Sequence, residues 1–240
     1  MSAVALTDYA NMYGTIEFYQ ACQKAELKPI IGVEFSIAYQ ERTFAIVLIA
    51  LNEAGYKNLM RITSIVNMEN PEHPVLTFET LTIYQEGLAV LSGGPWGDIS
   101  NLLTIDEQKA KERLEEYLAV FGDRYYLEIS PHTFMERGQE MREKTINLAK
   151  KHSVPLVATW NSHYLLPQDK SAHKTLFMVH GDQGSNDLYS HKFQKGEFYF
   201  ADTATTEKMF ADVPEAIGNT TKLADRVDLK INLGAWVFPN

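Results

Sequence analysis

The sequence predicts an α/β fold built on a parallel sheet, either closed as a barrel or open and doubly wound. Three observations predict it. Strand-like and helix-like segments alternate along the chain of 240 residues, the pattern of repeated strand–helix units. The run Phe44–Ala50 (FAIVLIA) is apolar throughout, the mark of a strand covered on both faces. No stretch rich in Pro, Gly or Ser divides the chain and no internal repeat is present, so it reads as one domain.

The elements follow in order. Ala3–Thr7 is a short apolar strand. Gly14–Leu27 has helical spacing, with Ile16, Tyr19, Ala21 and Cys22 near one face and Gln20, Gln23 and Lys24 on the other. Pro29 is expected to stop it. In Ile30–Ala38, Ile31, Val33, Phe35 and Ile37 share one face, and Gly32, Glu34 and Ser36 the other. Asn52–Asn67 reads as a helix with Asn52 as its N-cap. Gly87–Ser92 is a strand that turns at Gly93, Gly94 and Gly97. Asp106–Phe121 is a helix with an i,i+4 pair at Glu107 and Lys111. Arg124–Ile129 is a strand, and Phe134–His152 a helix closed by Lys150, Lys151 and His152, where cations suit the dipole. Pro155–Trp160 is a strand; Gln168–Val179, Thr205–Phe210 and Pro214–Asp225 complete the helices. Met68–Pro74 and Gly181–Gly196 read as loops, and Phe198, Tyr199 and Phe200 as core.

Composition excludes several classes. Twenty-two Lys and Arg stand against 31 Asp and Glu, a net charge of −9. Neutralising phosphates needs a surplus of basic groups, so this chain has no direct grip on DNA of its own. The single cysteine, Cys22, forbids an internal disulfide or a zinc site of several thiolates. No apolar stretch reaches the length of about 20 residues that spans a membrane, and no secretion signal precedes Ala3. The expected location is cytoplasmic.

In parallel α/β folds, ligands and catalytic groups gather at the carboxyl ends of strands. Asp8, His132, Asn161 and His163 fall there. Glu34 lies inside a strand, where burying its carboxylate demands a metal, a cation or a hydrogen-bond network. A metal site of carboxylate and imidazole ligands is one reading of these residues. A paired Glu34, a loop His132 and a strand-capping His163 is the other. The turn LSGGPWGDI runs through Gly93, Gly94 and Gly97 into a helix and offers free N–H groups to an anion. It lacks a phosphate-loop motif, so a plain turn is the alternative.

The runs AVALTDYANMYGTIEFYQACQKAELKPIIGVEF, LNEAGYKNLMRI, GLAVLSGGPWGDI, FGDRYYLEI, VPLVATWNSHYL, GEFYF and FADVPEAIGNTTKLADRVDLKINLG resemble the PHP (polymerase and histidinol phosphatase) domain of the bacterial replicative DNA polymerase III alpha subunit. The resemblance covers residues 3–240 in the family's order. It implies a PHP-type, distorted (β/α)7-like barrel, with up to three metals held by His, Asp and Glu at the strand ends. Active members hydrolyse phosphoesters, some as 3′–5′ exonucleases; in others the ligands are eroded.

Position by position, the resemblance implies erosion here. The family's first strand with its His-x-His pair has no counterpart, which leaves the expected barrel incomplete. Tyr9, in Thr7-Asp8-Tyr9-Ala10, stands where the family has a ligand His. Ala45 replaces another His, and Asn161 replaces a ligand Asp. Glu34, His132 and His163 match ligands. One negative charge among three survivors is too little for adjacent dications, so no zinc, manganese or magnesium is expected at full occupancy, although the remnant set could take one of them. The terminal Trp236-Val237-Phe238-Pro239-Asn240 resembles the segment that leads into the polymerase palm, and nothing in the sequence resembles the palm's carboxylates. Three readings follow from the resemblance. One is a structural module serving the polymerase core or other replisome subunits. The second is a residual metal-dependent phosphoesterase or 3′–5′ exonuclease, and the third a fragment of a longer reading frame.

Overall fold

The computed structural model describes residues 1–134, 136–180 and 196–234. They fall into two compact units interleaved in sequence. The first holds Met1–Ser92, Glu116–Tyr125 and the chain from Thr221 on; the second holds Gly93–Glu115 and Tyr126–Thr220. The loop expected over Gly181–Gly196 lies outside the described residues except for Gly196. The terminal Trp236–Asn240 segment lies wholly outside them.

In the first unit, β1 (Ala3–Leu6) and β2 (Lys28–Tyr39) run parallel, with Ala3 opposite Lys28 and Leu6 opposite Ile31. Helix α1 (Thr15–Lys24) makes the crossover that a parallel pair requires. Pro29 does not stop this helix. The helix ends at Lys24, Glu26 turns the chain at φ 56°, and Pro29 already lies in β2 opposite Val4. Among the described residues β1 pairs with β2 alone, as an edge strand.

The sheet of this unit is mixed, not purely parallel as the sequence predicts. Strand β3 (Arg42–Ala50) pairs antiparallel with β2, and β5 (Leu88–Leu91) antiparallel with β3. The cause is the connection Gln40–Glu41, with Gln40 at φ 54°. Two residues can join antiparallel strands but leave no room for a crossover. Two elements also appear where the sequence predicts none: β4 (Val75–Leu76), parallel to β2 at Ser36 and Ile37, and α3 (Phe78–Ile83).

The alternation in β2 sets its faces. Ile31, Val33, Phe35 and Ile37 are fully buried, while Glu34 and Ser36 are half-buried. Helix α2 (Glu53–Glu69) starts at Asn52, whose side chain accepts the Gly55 N–H at 3.1 Å. A Cβ on Gly55 would lie 2.0 Å from the Gly87 carbonyl oxygen, so only glycine fits. Asn58 donates to Glu86 O at 2.9 Å. The NEAGYKNL run is therefore a clamp between α2 and the turn before β5.

In the second unit, β6 (Tyr125–Ile129) pairs parallel with β7 (Leu156–Ala158) across helix α6 (Gly138–His152). Helices α4 (Asp98–Ile105) and α5 (Glu107–Phe121) precede β6, and α4 packs on α6. Asp98 and Arg113 form a buried ion pair at 2.8 Å. Helix α6 begins later than the sequence predicts. Arg137 is left-handed at φ 60°, and the Phe134 ring packs edge-on against His132 and Phe198 instead of joining the helix.

Helices α7 (Lys170–His180), α8 (Thr203–Met209) and α9 (Pro214–Arg226) follow. Side chains of α9 cap the edge of β7. Asn219 donates to Leu156 O at 2.9 Å, and Thr220 Oγ1 accepts the Ala158 N–H at 3.1 Å.

Candidate functional site

The six positions that the resemblance compares with family ligands divide evenly between the units. Tyr9, Glu34 and Ala45 lie in the first; His132, Asn161 and His163 lie in the second.

In the first unit, the loop after β1 meets the middle of β2. Glu34 donates its N–H to Asp8 O at 3.1 Å, and Ala10 donates to Glu34 O at 2.8 Å, which makes Tyr9 and Glu34 bridge partners. The Tyr9 phenol, in place of an imidazole, lies 2.8 Å from Ser36 Oγ and is hydrogen-bonded to it. Tyr9 is 38% exposed. Ala45 pairs with Ser36 in the β2–β3 ladder and offers no donor atom. Burial pushes the Asp8 carboxyl above its ordinary pKa.

In the second unit, the turn after β5 already holds an anion. Gly93, at φ 76°, donates its N–H to Glu128 Oε2 at 3.1 Å. Glu128 Oε1 accepts the Thr159 hydroxyl at 2.6 Å. Gly94 is also left-handed, at φ 56°, and a Cβ there would touch Glu128, whereas Gly97 is extended. The anion for this turn is thus an internal carboxylate that is 8% exposed. The sequence reading missed Glu128; its signal was a lone charge in the middle of the apolar strand Tyr125–Ile129.

His132 is buried at 6% exposure among aromatic rings. Its ring centroid lies 4.5 Å from that of Phe198, 5.8 Å from Phe134 and 5.9 Å from Trp96. Its Nε2 donates to Trp160 O at 2.7 Å. His163 is exposed, and its Nε2 donates to Asn161 Oδ1 at 3.0 Å. Asn161 is left-handed at φ 54°, a conformation Asn tolerates well. His132 and His163 both contact Phe198, His163 at 5.7 Å. A third imidazole, His173 on α7, joins this surface, and burial pushes its pKa down.

A multinuclear centre of the kind the resemblance implies needs several convergent anionic donors. Among the described residues, no group of three or more His, Cys, Asp or Glu side chains stands together to hold an ion. Of the positions that the resemblance compares with ligands, Tyr9, Ala45 and Asn161 supply no carboxylate or imidazole.

The comparisons with known proteins agree with the order of the motifs. The PHP domain profile matches residues 1–132. The chain belongs to the PHP domain family. The DNA polymerase III subunit alpha of Borreliella burgdorferi is 31% identical over 254 residues, covering 100% of this chain and 22% of the relative. That of Vibrio cholerae is 30% identical over 246 residues, covering 100% of this chain and 21% of the relative. The chain therefore spans about a fifth of the length of these curated relatives. Among solved structures, an amidohydrolase from Chromobacterium violaceum with bound sulfate and no metal is 13% identical. It aligns with a TM-score of 0.46 over 65% of this chain and 75% of that one. Among the described residues no helix is long and apolar enough to cross a membrane.

Proposed function

We propose that this PHP domain is a non-catalytic module of the DNA replication machinery, docking to a polymerase core or another replisome subunit in the cytoplasm. The observation that carries the reading is the environment of His132. A histidine matching a family ligand is enclosed by Trp96, Phe134 and Phe198, with Nε2 bonded to Trp160 O. With Nε2 held by the Trp160 carbonyl, only Nδ1 of His132 could meet an ion, and the ring is walled in by Trp96, Phe134 and Phe198. Tyr9, Ala45 and Asn161 supply neither carboxylate nor imidazole.

The test is turnover of single-stranded DNA and of a simple phosphate ester with Mn²⁺, Zn²⁺ or Mg²⁺ supplied. The expected result is no activity above a metal-free blank. Metal-dependent turnover lost on His132→Ala or His163→Ala would establish the residual phosphoesterase or exonuclease instead.

The same reading takes residues 3–240 as the PHP domain. Among the described residues β1 pairs with β2 alone, so a version extended by a strand of the family's kind is expected to melt at a higher temperature. An unchanged melting temperature would show that this edge gains nothing from a further strand.

A further inference from the structure

In the first unit, the loop after β1 and the end of α2 present apolar side chains to solvent. Tyr13 is 93% exposed, Met68 82%, Met60 41% and Ile16 40%. Met60 and Met68, at i and i+8, share the outer face of α2 with Lys57, Arg61 and Ser64. Tyr13 and Ile16 stand at the start of α1.

The two segments lie together. Asn67 Nδ2 donates to Ala10 O at 2.8 Å. The Tyr9 phenol bonds to Ser36, which is opposite Val75 in the β2–β4 pairing. The loop Tyr9–Gly14 therefore meets the chain that leaves α2. The loop is also tied down from within. Asn11 Nδ2 donates to Tyr9 O at 3.0 Å, the Tyr13 N–H to Asn11 Oδ1 at 3.1 Å, and the Thr15 N–H to Met12 O at 3.2 Å. Tyr13 is thus held out on a fixed backbone, and a partner that covers it orders one rigid side chain at little entropic cost. An aromatic ring beside adaptable methionines is the kind of anchor that dominates a binding surface.

The charge around these anchors has one sign. Residues 8–17 and 67–75 contain Asp8, Glu17, Glu69 and Glu72 and no Lys or Arg. Glu17, Glu69 and Glu72 are exposed, and among the described residues no ion pair engages them. Nucleobases stacked on Tyr13 would bring phosphates against these carboxylates, and a second copy of the chain would bring like charges together. A basic partner gains where those two lose.

We infer that this face, centred on Tyr13 and Met68, docks a protein segment that carries Lys or Arg beside apolar anchors. The inference rests on the module reading and extends it by naming the face and the chemistry of its partner. It uses none of Glu34, His132 and His163.

The experiment measures the fluorescence anisotropy of a dye-labelled amphipathic helical peptide titrated with the 240-residue chain. The peptide carries leucines at i, i+3 and i+7 and lysines on the flanks. Saturable binding is expected, and added salt should weaken it. Affinity should fall at least about tenfold in Tyr13→Ala and in Met68→Ala, and also in Glu17→Lys combined with Glu72→Lys. It should stay unchanged in Ile105→Ala, an exposed apolar residue of the second unit. Each variant should melt as the parent does. A twin peptide with glutamate in place of lysine should not bind. Absence of saturable binding, or binding that Tyr13→Ala leaves intact, overturns the proposal. So does self-association of the chain, or saturable binding of a single-stranded oligonucleotide, that Tyr13→Ala abolishes. None of these outcomes bears on phosphoester turnover, so the module reading fails only by its own assay.

Discussion

Glu34 and Glu128 both sit in mid-strand, on β2 and β6, and meet burial differently. Glu34 is half-buried, on the face it shares with Gly32 and Ser36, and its backbone is tied to the loop after β1. Glu128 is 8% exposed, and each of its oxygens accepts a hydrogen bond, from the Gly93 N–H and the Thr159 hydroxyl. A strand can keep a carboxylate by leaving it in touch with solvent or by surrounding it with donors. The second route depends on residues distant in the chain, here 35 and 31 positions away. The buried carboxylate is therefore the more costly one to disturb.

The comparison can be sharpened with a third carboxylate, Asp98, which is balanced by a full charge. Replacing Arg113 with Met removes the charge that balances that buried carboxylate, leaving it the Ile99 N–H, and should cost about 3–5 kcal/mol in urea unfolding, the largest effect expected. Glu128→Leu removes the acceptor of one buried and one half-buried neutral donor and should cost about 2–3 kcal/mol. Glu34→Ala should cost under about 1 kcal/mol, as for a partly solvated site. Equal losses for the last two would break the comparison. Thr220→Val removes the acceptor of the Ala158 N–H at the β7 edge and should cost about 1 kcal/mol.

The smallest effect concerns Asp8, and its sign is set by burial. Its folded pKa is raised above the ordinary value of 3.8. The charged form therefore weakens the fold at neutral pH, and that penalty fades as pH falls through the folded value and below 3.8. Asp8→Asn should raise the melting temperature slightly at pH 7 and leave it unchanged near pH 3. A larger gain at the acid end would reverse the assignment.

Periodicity made part of this legible. The alternation from Ile31 to Ile37 marks the buried face of β2, and Asn52 caps α2 as its residue type predicts. The direction of β3 was not legible from composition, because apolar runs look alike in either orientation. The length of the Gln40–Glu41 connection was the signal, and it is a matter of loop geometry. Pro29 misled because a proline just past a helix reads as its terminator, while here it fits an edge of the ladder opposite Val4. In the site, the order of the motifs identified the family, while only the resemblance places Glu34, His132 and His163 at ligand positions. The sequence could not reveal that Glu128 fills the Gly93 turn, that aromatic rings enclose His132, or that His173 approaches His163. Each depends on contacts between segments far apart in the chain.

Along β7, Asn219 and Thr220 place side-chain atoms where the backbone of another strand would bond. Helix α9 thereby acts as a counterfeit neighbour. A foreign peptide seeking to extend the sheet at this margin must first displace those bonds, so strand recruitment, the opening step of fibrous self-assembly, is obstructed there. Among the described residues β1 pairs with β2 alone.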